Sequence, residues 1–346
     1  MLSFALHALA ATSLLGTFAV ASLQTKNLTT RDGSTYVYDY IPASHEANKT
    51  TVLLLHGYPS SRHDWRHQVA DLSAAGYGVL APDCLGYGDS DMPLEVEAYN
   101  LKRLGGHLME ILDNEGLQTV VGVGHDWGTN LLSRTSVWHP DRFQKLAFLS
   151  LGYSAPGIFA DIDLLNAMSL SQLGYMQFGY FYFFNSYNGA DLAASKLESF
   201  FSLAFPTDNS KWAENLAGLG TARAWLEANT TTPLANYLTE EDKKTWMRAY
   251  SRKGSVEASM NYYKALLRGV QAKDESCLTD KHRTLKVPVL TIGGTQDTVT
   301  RADQIRAQTE PWTAAGYTEK TVDAGHWMMH EDREGVSSAL LEFLKA

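Results

Sequence analysis

Cysteine is nearly missing from this chain. Cys84 and Cys277 are the only two in 346 residues, which excludes a disulfide-stapled scaffold and leaves at most one internal bridge. Their spacing does not say whether they pair. Positive charge is also short. Lys and Arg number 29 against 38 Asp and Glu, a net charge of −9 with no long basic run, which argues against a nucleic-acid-binding surface. There is no internal repeat and no low-complexity tract. No metal-ligand spacing stands out. His326 and His330 are four apart with no Glu between them, so neither a metal nor a cofactor is expected. Hydrophobic residues make up 45%, the norm for a globular protein.

What the chain does have is the pentapeptide Gly124-His125-Asp126-Trp127-Gly128. The apolar run Thr119-Val120-Val121-Gly122-Val123 precedes it, and a helical pattern from Trp127 toward His139 follows. Strand, tight turn and helix, with small residues on both sides of a central one, is the pattern of a nucleophile elbow in an α/β-hydrolase. The glycines suit a strained turn that passes close to other backbone. The elbow position usually holds Ser; here it is Asp126. A Ser hydroxyl needs a base to become a nucleophile, whereas a carboxylate at neutral pH already is one. A carboxylate suits displacement at an sp3 carbon, leaving an alkyl ester on the enzyme. The swap points to epoxide opening or halide expulsion and away from amide cleavage. A strand-end Asp before a helix also serves as a plain N-cap, so the partner residues decide.

Those partners come in the order the fold requires: nucleophile, acid, His. Val287 to Ile292 reads as a buried strand and leads into Gly293-Gly294-Thr295-Gln296-Asp297, which sets an acid at a strand's C-terminal end. Tyr317 to Val322 reads as the next strand, followed by Asp323-Ala324-Gly325-His326-Trp327. Asp126, Asp297 and His326 therefore form the candidate triad. Upstream, the wholly apolar run Thr51 to Leu55 leads into His56-Gly57-Tyr58-Pro59. In this fold that loop gives one backbone N–H of an oxyanion hole, here from Tyr58, and the residue after the nucleophile, Trp127, gives the other. His56 is expected to hold the loop by hydrogen bonding rather than to act as a base.

Taken together, His56-Gly57-Tyr58-Pro59, the segment from Ala81 to Asp91, the Asp126 elbow and Gly325-His326-Trp327 resemble the epoxide hydrolases of the α/β-hydrolase superfamily. The likeness is to fungal soluble forms, and it covers nearly the whole chain after about Lys26. It implies that Asp126 is the nucleophile and that His326, oriented by Asp297, activates the water that hydrolyses the ester. The implied partners are a small lipophilic epoxide and water. The family also uses two lid tyrosines to protonate the leaving oxygen, a task that suits a neutral phenol. A family motif Asn-Trp-Tyr-Arg is matched by Asn261-Tyr262-Tyr263-Lys264, which selects Tyr263, with Tyr262 as the alternative. A stretch resembling Asp-Tyr-Gln-Leu-Tyr-Phe aligns with Gly179-Tyr180-Phe181-Tyr182-Phe183-Phe184 and selects Tyr180. Tyr175, Tyr182 and Tyr187 lie close by, and with 17 tyrosines in the chain most must serve packing or the surface.

The expected architecture is a mostly parallel sheet flanked by helices, with an inserted helical lid. Ser34 to Ile41 alternates as an antiparallel edge strand would. Gly76 to Pro82 and Lys145 to Leu151 read as further strands; Asp64 to Ala75 and Leu101 to Asp113 read as helices. From about Gly152 to Leu285 the patterns are helical. The core then divides into residues 22–151 and 286–346, with a lid at 152–285. The closing helices are Arg301 to Thr309 and Glu331 to Leu344. The aromatic cluster between Tyr175 and Tyr187 suggests burial between lid and core and a lipophilic pocket.

Rival readings remain at this level. A haloalkane dehalogenase shares the Asp elbow and the Trp after it, but commonly has Asn where Tyr58 stands and lacks the tyrosine pair. A haloacid dehalogenase of the superfamily typically has Arg at the position of Trp127. An inactive ligand-binding protein of this fold is the reading outside enzymes. Residues 1–21 are mostly apolar and end Ala19-Val20-Ala21, a small-residue cleavage pattern that suggests a signal peptide. His7, Thr12, Ser13 and Gly16 interrupt the stretch, which argues against a stable membrane span. With sequons at Asn27, Asn48 and Asn229, the expectation is a secreted glycoprotein; a membrane anchor or a cytoplasmic protein with an N-terminal extension are the alternatives. Protein made in a eukaryotic secreting host should begin near Ser22 and carry glycan on some of these asparagines. Mass spectrometry finding an intact Met1 on an unglycosylated product would remove this reading.

Overall fold

The computed structural model describes residues 22–44, 50–158 and 161–346. The expected signal segment 1–21 and the sequon residue Asn48 lie outside the described residues. Eight strands form one sheet: β1 (Gln24–Thr29), β2 (Thr35–Ile41), β3 (Thr51–Leu55), β4 (Gly78–Pro82), β5 (Val120–His125), β6 (Phe143–Leu149), β7 (Val289–Gly294) and β8 (Tyr317–Val322). Their order is β1-β2-β4-β3-β5-β6-β7-β8. β2 runs antiparallel to β1 and β4, and every other neighbouring pair is parallel. β3, β4, β5 and β7 are buried along their whole length. Continuous apolar sequence is what a parallel strand covered on both faces requires.

One strand differs from expectation. β2 is antiparallel, but it is not the edge, because β1 pairs outside it. The β1 sequence Gln-Thr-Lys-Asn-Leu-Thr is exposed on alternate residues and packs only Leu28 against the core. It carries no apolar signal to read. Backbone pairing to β2 holds it.

Between the end of β6 and the start of β7 the described residues contain helices and no strand. The longer ones are Ile162–Leu173, Leu197–Ala204, Glu240–Tyr250 and Ser255–Leu267. Aromatic donors tie this layer to core carbonyls. Trp246 Nε1 donates to Pro59 O at 2.8 Å, and Tyr262 Oη to Leu85 O at 2.9 Å. In the other direction, core Trp327 Nε1 donates to Ala204 O at 2.7 Å. A buried ion pair, Arg134 Nε to Glu275 Oε1 at 3.0 Å, adds to these ties. Cys84 is buried and Cys277 exposed, and both are free thiols.

The elbow sits at the C-terminal end of β5, near the middle of the sheet, where the helix Trp127–Trp138 begins. That helix lies against backbone with no side chain between. A Cβ on Gly128 would come within 2.1 Å of Leu55 O, and one on Gly124 within 2.6 Å of Gly128 O. Gly128→Ala should therefore force backbone apart and lower stability by about 3 kcal/mol or more. Gly106→Ala, whose Cβ would meet nothing within 4 Å in the middle of the helix Leu101–Asn114, should instead gain about 0.5–1 kcal/mol. Denaturant unfolding of both variants checks the contrast; equal midpoints would show that the elbow has room to spare.

Candidate active site

Asp126 stands at φ 53° and ψ −120°, a backbone conformation rarely adopted by a residue with a side chain. Its carboxylate does not cap the helix that follows. It turns toward the β3 loop, where Oδ1 accepts the Tyr58 N–H at 2.7 Å, and the Trp127 N–H also bonds to the carboxylate. The approach is possible because Gly57 has no side chain: a Cβ there would lie 2.3 Å from Asp126 Oδ1. His56 braces the same loop. Its Nδ1 bonds to Gly57 O at 2.9 Å, and its Nε2 accepts the Cys84 N–H at 3.0 Å.

His326 faces Asp126 across a gap of 3.8 Å from Nε2 to Oδ2. Its other nitrogen, Nδ1, bonds to Asp297 Oδ2 at 2.8 Å. Asp297 is in turn held by the N–H groups of Val299 and Thr300, both at 2.9 Å from Oδ1, and by the Thr300 hydroxyl. Burial acts on these groups in different directions. It pushes the Asp126 carboxyl above its ordinary range, against the pull of the His326 charge and the two backbone N–H groups. Burial would raise Asp297 too, but the His326 charge and the hydrogen bonds from His326 and Thr300 outweigh it and hold Asp297 low. For His326 burial lowers the pKa, and the charges of Asp297 and Asp126 more than restore it, so the net shift is upward.

Tyr180 and Tyr263 meet over this group, their ring centroids 5.9 Å apart. Burial pushes both phenols well above their ordinary range, so they stay protonated at neutral pH. Tyr262 points the other way, its hydroxyl bonded to Leu85 O and its ring against Tyr87 and Tyr99. Of the other tyrosines near Tyr180, Tyr175 donates to Thr298 O at 2.6 Å, Tyr182 bonds to Asp163, and Tyr187 is fully exposed. Two cavities open beside Asp126. One of about 380 Å³ runs past Trp127, Phe181 and Leu266. The other, about 30 Å³, is lined by Tyr58, Trp212, Leu216 and His326. Asp126, Tyr180 and Tyr263 border both. Among the described residues no group of three His, Cys, Asp or Glu is placed to hold a metal ion.

Three supporting residues went unread in the sequence. Ser150, at φ 71°, sets its hydroxyl 3.0 Å from His326 Nδ1 and 2.6 Å from Thr300 Oγ1. Trp212 of the lid packs its ring 4.9 Å from that of His326. Glu331 brackets the histidine: one carboxylate oxygen takes the Gly325 N–H at 2.8 Å, the other the Trp327 N–H at 3.0 Å. Asn209 of the lid donates to the same carboxylate at 2.7 Å. Glu331 stood five residues past His326, where it read only as the start of a helix.

A family model described as the alpha/beta hydrolase fold matches residues 50–333. The chain is 32% identical to epoxide hydrolase A of Mycobacterium tuberculosis over 310 residues, covering 86% of this chain and 91% of that protein. It is 26% identical to mouse (Mus musculus) epoxide hydrolase 4 over 315 residues, covering 89% and 76%. The crystal structure of epoxide hydrolase A from Mycobacterium thermoresistibile superposes with a TM-score of 0.76 at 25% identity, over 94% of this chain and 99% of that one. The chain belongs to the α/β-hydrolase fold family, and within it to the epoxide hydrolases.

Glu331→Gln keeps the size of the bracket but leaves one acceptor oxygen where there were two. It also removes a negative charge that helps raise the His326 pKa. The ester-hydrolysis step should slow by about 10²-fold, the cost of a misplaced base. The acid limb of its pH profile, which reports protonation of the base, should move to lower pH. Stopped-flow rates measured across pH check both; an unshifted limb with a slower rate would leave Glu331 a structural role only.

Proposed function

We propose that the protein converts an epoxide to a vicinal diol through an ester on Asp126. One observation carries this reading above the others: a buried carboxylate and two protonated phenols border the same cavities. In the first step Asp126 Oδ2 attacks an oxirane carbon, and the C–O bond to the ring oxygen breaks. Tyr180 and Tyr263 supply the proton that turns the departing alkoxide into a hydroxyl. Oδ1, already on the Tyr58 N–H, becomes the ester carbonyl oxygen. In the second step His326 takes a proton from water, which attacks the ester carbon. Negative charge then develops on Oδ1, which the Tyr58 N–H faces, with the Trp127 N–H beside the same group. The tetrahedral centre collapses by breaking its bond to the alkyl oxygen, which takes the proton from His326. The diol leaves, a water oxygen stays on Asp126, and the remaining acid proton of that carboxyl returns to the phenolate.

The charges suit this order. The Asp126 charge helps hold the His326 pKa up in the free enzyme. Ester formation removes that charge, so His326 becomes the stronger candidate for a neutral base when a base is needed. Halide expulsion would give the two phenols no proton to deliver. The secretory reading also stands as a proposal, supported by the cleavage pattern at Ala19-Val20-Ala21 and the surface exposure of Asn27 and Asn229.

The test is transient kinetics with an epoxide, following diol and bound adduct. His326→Gln should trap the ester as a mass increase equal to the substrate, and Asp126→Ala should show none. Tyr180→Phe combined with Tyr263→Phe should slow alkylation by about 10²–10⁴, each single change doing less because either phenol can serve. Turnover of His326→Gln near the wild-type rate, or alkylation by the double variant at that rate, would overturn these assignments. Halide release from haloalkanes without diol formation would overturn the reaction itself.

A further inference from the structure

The two cavities that meet at Asp126 differ greatly in size, and the difference limits what can bind. An oxirane whose oxygen lies under Tyr180 and Tyr263, with a carbon on Asp126, has one carbon toward each cavity, because those three residues border both. The larger cavity, about 380 Å³, accepts an extended arm. The smaller, about 30 Å³, has less than a tenth of that space. It is walled by Phe184, Phe200, Leu203 and Leu216, all nearly fully buried, so it has no easy way to grow.

The smaller cavity also has polar groups suited to water. His326, the base, lines it. So does Tyr58, whose hydroxyl is buried without a hydrogen-bond partner. A buried hydroxyl left that way is costly, and a water held in this cavity would satisfy it. A substituent placed in the smaller cavity would take the position that the hydrolytic water needs in the second step.

From this we infer that the enzyme is specific for terminal epoxides. The unsubstituted oxirane carbon faces the small cavity beside His326, and the single arm lies along Trp127, Phe181 and Leu266. Trans internal epoxides, with a chain on each carbon, are excluded by the small cavity. This inference rests on the epoxide hydrolase reading of the same site.

The test compares a straight-chain terminal epoxide with its trans internal isomer of equal carbon number, so that hydrophobicity is matched. Diol formation by the wild-type protein should favour the terminal isomer in kcat/KM by at least about a hundredfold, since several methylenes have no space. Leu216→Ala enlarges the small cavity and should narrow that ratio by about tenfold, through gain on the internal isomer. Leu266→Ala, in the wall of the larger cavity, should not narrow it. Comparable wild-type rates on the two isomers would overturn the inference while leaving the epoxide reading intact. A ratio unmoved in folded Leu216→Ala would do the same. Diol from neither isomer, nor from a broader panel of epoxides, would overturn the epoxide reading and this inference with it. The wild-type ratio decides even if the Leu216 variant does not fold.

Discussion

The site depends on keeping one carboxylate charged where it is nearly fully buried. An unpaired ion buried in a protein costs several kcal/mol even after relaxation. Asp126 avoids much of that through the N–H of Tyr58, the N–H of Trp127 and the charge of His326. Each of these makes its own demand on the backbone. The Tyr58 N–H reaches Oδ1 only because Gly57 has no Cβ. The Trp127 N–H is available because the chain turns at Asp126 with φ 53°, a strain of about 1–3 kcal/mol. The turn is fixed between β5 and a helix that touches Leu55 backbone through Gly128. Parallel strands buried on both faces hold those parts rigidly enough for the strain to persist.

Burial is common to every group in the site, yet it sorts them into different roles. A carboxyl with few donors moves up, and one with several donors and a histidine moves down; Asp126 and Asp297 are these two cases. Phenols without a nearby cation stay neutral and can donate. Groups whose environments push them apart in this way divide acid and base work between them. In the proposed reaction Asp297 stays ionised and orients the imidazole, while Asp126 would lose its charge on forming the ester and the histidine 3.8 Å away would respond.

Much of this was legible in the sequence, for definite reasons. Buried parallel strands give continuous apolar runs, so β3 could be read to the residue and the elbow to its central position. Asp126, Asp297 and His326 each follow a strand, which is how they could be picked out one motif at a time. Tyr180 and Tyr263 came only through resemblance, because nothing local separates a tyrosine facing a cavity from Tyr262, which faces the core one residue earlier. β1 gave no signal because it buries almost nothing. The Glu331 bracket gave none because its partners are backbone N–H groups, and any residue supplies those. Ser150 could not be read for a similar reason: its role comes from a positive φ and from Asp297, Thr300 and His326, all distant in the chain.

The lid is a working part of the site as well as its cover. It contributes both phenols, the Trp212 ring against His326, and Asn209 on the carboxylate that brackets the base. Its aromatic ties to the core are uncharged: Trp246 to the Pro59 carbonyl, Trp327 to the Ala204 carbonyl, Tyr262 to the Leu85 carbonyl. Its ion pairs with the core lie elsewhere, Arg66 with Asp242 and Arg248 with Asp89, or are self-neutralising in a cavity wall, as Arg134 is with Glu275. This distribution has a physical reason. In a medium of low dielectric a free cation near the nucleophile would stabilise the carboxylate and weaken its attack, and a free anion would raise its pKa further. Neutral donors on backbone carbonyls fasten the lid without either effect, so the strength of the nucleophile is left to burial, which raises its pKa, and to His326 and the two N–H groups, which oppose it.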